Sequence, residues 1–175
     1  YRGFADPGCP PEPFGDPTVR PQRGDVVIEY TPEGEVVHEV SLFDAIDPRD
    51  QPGSQQCNLK TDAIATGDRV FVDWSHGNSA TLFEAENTVL VSARNLSSVM
   101  ALRWEADQDG PAGDVLWQLG PGLDFELTEG EWFYRQHAPE VQPDGTILLY
   151  DNGSQRPVTT DDKDEAPAPY SRAVA

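Results

Sequence analysis

The sequence predicts an all-β protein, and three observations carry the prediction. Short runs rich in Val, Leu, Ile and aromatic residues recur along the chain. Gly, Asn, Asp and Pro separate them, and no long 3.6-residue apolar period appears anywhere. Residues 1–23 form an arm. Six of them are proline (Pro7, Pro10, Pro11, Pro13, Pro17, Pro21), which opposes both helix and central strand. The domain proper runs from 24 to 175. Val26 to Tyr30 reads as a strand, Thr31-Pro32-Glu33-Gly34 as a turn in which Pro sets φ and Gly permits a positive one, and Val36 to Val40 as the returning strand. Ser41 to Ile46 suits one helical turn before Pro48. Further strands are expected at 69–73, 80–83, 88–93, 99–104, 115–119, 139–142 and 146–150. Ser154 to Pro169, with its run Asp161-Asp162-Lys163-Asp164-Glu165 and alternating Ala and Pro, reads as an exposed loop. Tyr170 to Val174 resembles the start of another strand.

The chain has 175 residues and 19.2 kDa, the size of one domain with its own core. It carries 31 acidic and 12 basic residues, for a net charge of −19. A field that negative excludes nucleic acid as a partner, because binding there depends on Lys and Arg against phosphate, and it opposes docking on anionic lipid. No apolar run is long enough to span a bilayer, so no membrane insertion is expected. The chain opens at Tyr1 with no basic and apolar leader, as a mature secreted protein, a processed piece or a partial chain would. The two cysteines, Cys9 and Cys57, make no zinc motif. They are either a disulfide joining arm to domain or two buried thiols, and spacing does not choose between these.

A faint internal repeat organises the second half. His76-Gly-Asn-Ser-Ala-Thr-Leu leads to Thr88-Val-Leu-Val-Ser-Ala-Arg, and His137-Ala-Pro-Glu-Val leads to Thr146-Ile-Leu-Leu-Tyr-Asp-Asn. Each unit sets a histidine before a strand, a hairpin and a second apolar strand. Repeated four-stranded units point to a β-propeller, of which roughly three blades of ~40–50 residues fit here. Three blades close no ring, so the chain is expected to be part of a larger propeller. The alternative is a β-sandwich, which needs no closure.

Two of the three histidines thus head repeated units, and in a propeller such positions face a common axis. His76 and His137 are expected to converge there, with Arg94 at the end of the next strand. Two imidazoles and a guanidinium around one space make an anion site, since Arg presents a planar fork to sulfate or phosphate oxygens and a neutral imidazole acts as nucleophile or base. His38, among valines beside Glu39, reads as structural. Trp74, Trp104, Trp117 and Trp132 read as core, although Trp74 lies next to His76 and is carried as a substrate contact. Asp73, His76 and His137 offer three metal ligands, but no HxH or HExxH spacing accompanies them, and neither metal nor cofactor is expected.

The ordered set Asp73-Trp74-Ser75-His76-Gly77-Asn78-Ser79, Val91-Ser92-Ala93-Arg94-Asn95, Val115-Leu116-Trp117-Gln118-Leu119-Gly120, Gln136-His137, Tyr150-Asp151-Asn152-Gly153 and Ser171-Arg172 resembles the arylsulfotransferases over about residues 25–175. The resemblance implies a six-bladed propeller of the periplasm or cell exterior. Such a protein moves a sulfuryl group from an aryl sulfate ester to a phenol, without nucleotide-activated sulfate and without metal. By position it makes His137 the nucleophile that becomes transiently sulfated, His76 an active-site histidine, Arg94 the arginine that steadies the sulfuryl oxygens, and Asn78 a further ligand of the same anion. The family has another active-site histidine in an earlier blade, and nothing upstream here matches it. The remaining blades would come from the same or another chain. Three other functions compete with this one: a non-catalytic propeller module that binds protein or carbohydrate, a quinone-cofactor propeller oxidoreductase, and a metal-dependent hydrolase built on Asp73, His76 and His137.

Overall fold

The computed structural model describes residues 2–4, 20–47, 63–66, 69–154, 156 and 170–175. Its elements are strands β1 (Arg2–Phe4), β2 (Arg20–Arg23), β3 (Val26–Tyr30) and β4 (Val36–Ser41), helix α1 (Leu42–Ala45), then β5 (Ala63–Thr66), β6 (Arg69–Asp73), β7 (Gly77–Phe83), β8 (Thr88–Ala93), β9 (Ser98–Arg103), β10 (Val115–Leu119), β11 (His137–Val141), β12 (Ile147–Asp151) and β13 (Arg172–Val174). The protein is all-β, as its local patterning requires.

The β3–β4 hairpin turns where expected. Gly34 takes φ +91° and donates its N–H to the Thr31 carbonyl, the geometry for which a residue without Cβ is suited. β7 to β10 form a four-stranded antiparallel meander in which each strand pairs with its neighbour in sequence, and β11, β12 and β13 form a three-stranded sheet. Among the described residues these sheets close no barrel or ring.

The sheets stack face to face because β8 and β9 bury both their faces. Val89, Val91, Met100 and Leu102 pack with Val40, Leu42, Trp74 and Trp104, which ties the meander to the hairpin and α1. From the other face Val99 packs with Phe133 and Leu149, joined by Trp117, Trp132 and Val174, which ties it to β11–β13. Each large apolar side chain so buried contributes about 1.5–3 kcal/mol relative to exposure. All four tryptophans therefore belong to the packing.

Two expectations need correction. The arm is not free of regular structure: β1 and β2 lie within it, and β2 sits between β1 and β6. Pro21 stands opposite Gly3 in the antiparallel β1–β2 ladder, whereas the parallel β2–β6 ladder pairs only Gln22 and Arg23, after the proline. The strand expected at 139–142 begins at His137 instead. A register shift between His137 and Glu140 bypasses Pro139, and β11 is an edge strand where a missing N–H costs no ladder bond. Cys9, Cys57 and nearly all of the expected 154–169 loop lie outside the described residues. Among the described residues no helix is long and apolar enough to cross a membrane.

Candidate active site

His76 stands in the tight link between β6 and β7, and its backbone adopts φ +49°, a region that non-glycine residues seldom occupy. The surroundings impose that conformation. A single oxygen of Asp25, Oδ2, accepts the Ser75 hydroxyl and the Gly77 N–H, both at 2.6 Å, so the carboxylate grips the chain on each side of the histidine. The His76 carbonyl accepts the Arg94 N–H at 3.2 Å, and the Ser75 carbonyl accepts the Asn95 N–H at 3.0 Å. Strained backbone held this firmly is characteristic of functional positions. The His76 ring donates Nδ1–H to the carboxylate of Asp73. That bond sets ring orientation and tautomer, and leaves Nε2 to carry a proton on a side chain that is 45% exposed.

His137 is presented by an equally constrained segment. Arg135 (φ +58°) and Ala138 (φ +48°) bracket it, so three of the five described non-glycine residues with positive φ lie at or beside these two histidines. Gln136, fully buried, anchors the segment. Its amide donates to the Ser98 carbonyl at 2.8 Å and to the Ser92 hydroxyl at 3.1 Å. Its carbonyl accepts Asn78 Nδ2–H at 2.8 Å and the Ser92 hydroxyl at 3.3 Å. β11 packs against β7 and β8, which brings the His137 strand alongside the strand that His76 precedes.

Arg94 opens the 3₁₀ turn Arg94–Leu96, directly after β8. Its guanidinium donates to Asn95 Oδ1 at 2.9 Å. Arg94, His76 and His137 share one electrostatic neighbourhood. The His137 imidazole is held below its ordinary value of 6.5 first by burial, then by the positive charge of Arg94 and by the neighbouring His76. His137 is therefore neutral, with a lone pair free, at pH values where an unperturbed imidazole begins to charge. As pH falls through 6.5 the unfolded chain takes up this proton before the folded one, so the contribution is complete above 6.5 and is lost on acidification. Replacing Arg94 with Gln should raise the His137 pKa towards 6.5, read from NMR titration of the His137 ring. An unchanged midpoint would mean that Arg94 does not act on this imidazole.

The two expected substrate contacts both have partners within the fold. Trp74 is 3% exposed and stacks on Phe43 with centroids 5.3 Å apart, which places it in the core. Asn78 uses its amide donor on the Gln136 carbonyl, which makes it a brace for the His137 segment and leaves one N–H for an anion. His38 donates Nε2–H to the Trp104 carbonyl at 2.6 Å, a structural bond. Sequence reasoning did not assign roles to Asp25, Asn95 and Arg135, which hold the site together; their partners lie 22 to 52 residues away, beyond any local signal. A pocket of about 320 Å³ between β4, α1 and Pro111–Val115 contains none of the three candidate residues. Among the described residues no group of three or more His, Cys, Asp or Glu side chains is arranged to hold a metal ion.

The family model for arylsulfotransferase (ASST) covers residues 15–175. No curated protein matches the chain.

Proposed function

Because the chain belongs to the arylsulfotransferase family, we propose that it moves a sulfuryl group from an aryl sulfate ester to a phenolic acceptor through a sulfated His137. One observation carries the proposal: Arg94 and His76, the latter 61 residues away in sequence, both lie close enough to His137 to act with burial in lowering the pKa of its imidazole, which favours the neutral form.

In the first step the neutral His137 nitrogen attacks sulfur in line. An N–S bond forms as the S–O bond to the aryl group breaks, and the phenolate departs with that bonding pair. Arg94 and His76 hold the equatorial oxygens, whose charge changes least unfavourably when donors are already in place. His76, oriented by Asp73, gives a proton from Nε2 to the departing phenolate in this step and takes back the acceptor phenol's proton in the next. In the second step an acceptor phenol gives up its proton, its oxygen attacks sulfur, and the N–S bond breaks to restore neutral His137. Asn78 has one N–H left to assist on the same anion.

The reading needs only these two small molecules, with no metal and no cofactor, and sets the protein in the periplasm or outside the cell. It includes a six-bladed propeller whose further blades come from the same or another chain. The sequential meander β7–β10, and the placing of a histidine at the head of both β7 and β11, support that architecture.

The test is covalent capture. After incubation with an aryl sulfate and no acceptor, followed by an alkaline quench that preserves N–S bonds, mass spectrometry should find one sulfuryl group on the peptide bearing His137. Phenol release with no label on that peptide would overturn the histidine intermediate.

A further inference from the structure

Asn95 bonds to Arg94, to the link that leads into His76 and to Arg135 near His137, without belonging to the set that the reaction uses. It is 8% exposed. Its amide donates to the Asp73 carbonyl at 2.5 Å, and its backbone N–H donates to the Ser75 carbonyl at 3.0 Å, so it secures the chain at two points just before His76. Its Oδ1 accepts Arg94 Nη1–H at 2.9 Å and also accepts Arg135 Nη1–H. Arg135 is 3% exposed and lies two residues before His137, and its own N–H is held by the Ser97 hydroxyl at 3.2 Å.

Building on the sulfuryl-transfer reading, we propose that Asn95 is the positioning residue of the site, joining the Arg94 guanidinium to the segments that carry His76 and His137. The chemistry explains why an amide suits this place. An amide oxygen accepts from two guanidiniums at once yet carries no net charge, so it brings two positive groups together without contributing a charge that would oppose an anionic donor. A carboxylate would accept from both and, at a few ångströms, offset part of their field. A hydroxyl is too short to reach both guanidiniums and the Asp73 carbonyl together.

Two substitutions test this, read by a property that packing alone does not set. Asn95→Asp keeps the size and the acceptor while adding a negative charge. It should raise the His137 midpoint in an NMR ring titration towards 6.5 and increase KM for an aryl sulfate about 10-fold, with kcat changing less. Asn95→Ser frees Arg94 and Arg135 from their common acceptor. It should also raise the His137 midpoint, and kcat/KM should fall about 100-fold. Circular dichroism checks that each variant is folded. A folded Asn95→Asp protein with the parent's His137 midpoint overturns the proposal, and if that variant does not fold, a folded Asn95→Ser protein with an unchanged midpoint does the same. Because the titration needs no turnover, it separates failure of the positioning role from failure of sulfuryl transfer. A parent protein without transferase activity whose His137 midpoint still moves in both variants would leave Asn95 as the organiser of an anion site with a different use.

Discussion

Replacing His137 with Ala should reduce sulfuryl transfer from aryl sulfate to phenol by about 10⁴-fold or more, the scale seen when a covalent nucleophile is removed from an enzyme that depends on it. The structure indicates why the loss should be chemical. His137 is partly exposed at the start of an edge strand, where it pairs with Tyr150, and it is absent from both buried apolar clusters. Its removal opens no sealed cavity, so the melting temperature should change little. The bonds that shape the segment belong to Gln136 and Arg135, and they survive the substitution. Arg94 and His76 would remain to bind a sulfate ester with no nitrogen in line with the sulfur. Rates of phenol release and of acceptor sulfation are the measurements, and a variant within 10-fold of the parent in both would rule out His137 as the nucleophile.

The largest loss of stability is expected from Asp151→Ala. This carboxylate is fully buried. Its Oδ1 accepts the N–H groups of Tyr134 and Gly153 at 2.9 and 2.8 Å, and its Oδ2 accepts Arg172 Nε–H at 2.9 Å and also Arg156 Nη2–H. One side chain thus binds the end of β12 to β13 and to the segment that leads into His137. Removing one partner of a buried ion pair typically costs about 3–5 kcal/mol, because the remaining charge stays buried without it. In a domain of this size that corresponds to a fall of roughly 6–20 °C in Tm. Glu131 limits the loss only slightly, since its carboxylate stands 3.8 Å from Arg156 and 3.7 Å from Arg172 and is itself well exposed. Differential scanning calorimetry of the parent and variant measures the effect. A shift below 2 °C would show that the two arginines find equivalent partners elsewhere.

Asp151 also shows how far a motif can be read. Tyr150-Asp151-Asn152-Gly153 and Ser171-Arg172 stand out in the sequence as parts of the family pattern, but nothing local says what they do. In the fold they are one ion-paired clasp. Gly153, at φ +66°, completes it, because a Cβ there would lie 2.2 Å from the Tyr170 carbonyl oxygen. The histidines divide similarly. His38 is identifiable as structural from its valine neighbours, and His76 and His137 as a pair from their matching places in the repeat. The backbone strain at His76 and around His137 is invisible in the sequence, since neither His76 nor Arg135 nor Ala138 is a glycine and the positive φ comes from contacts made elsewhere.

The strands from β6 to β12, the β3–β4 hairpin with its Thr31–Gly34 turn, the single helical turn after Ser41 and the acidic character of the protein follow from residues within a few positions of one another, because side-chain alternation, β-branching and turn chemistry are local forces, whereas β1, β2 and β5 do not. The burial of Trp74 against Phe43, the use of Asn78 as a brace, and the junction at Asn95 were decided only when distant segments met. Hydrogen bonds and packing act over a few ångströms, and in this chain those few ångströms separate residues 22 to 58 positions apart.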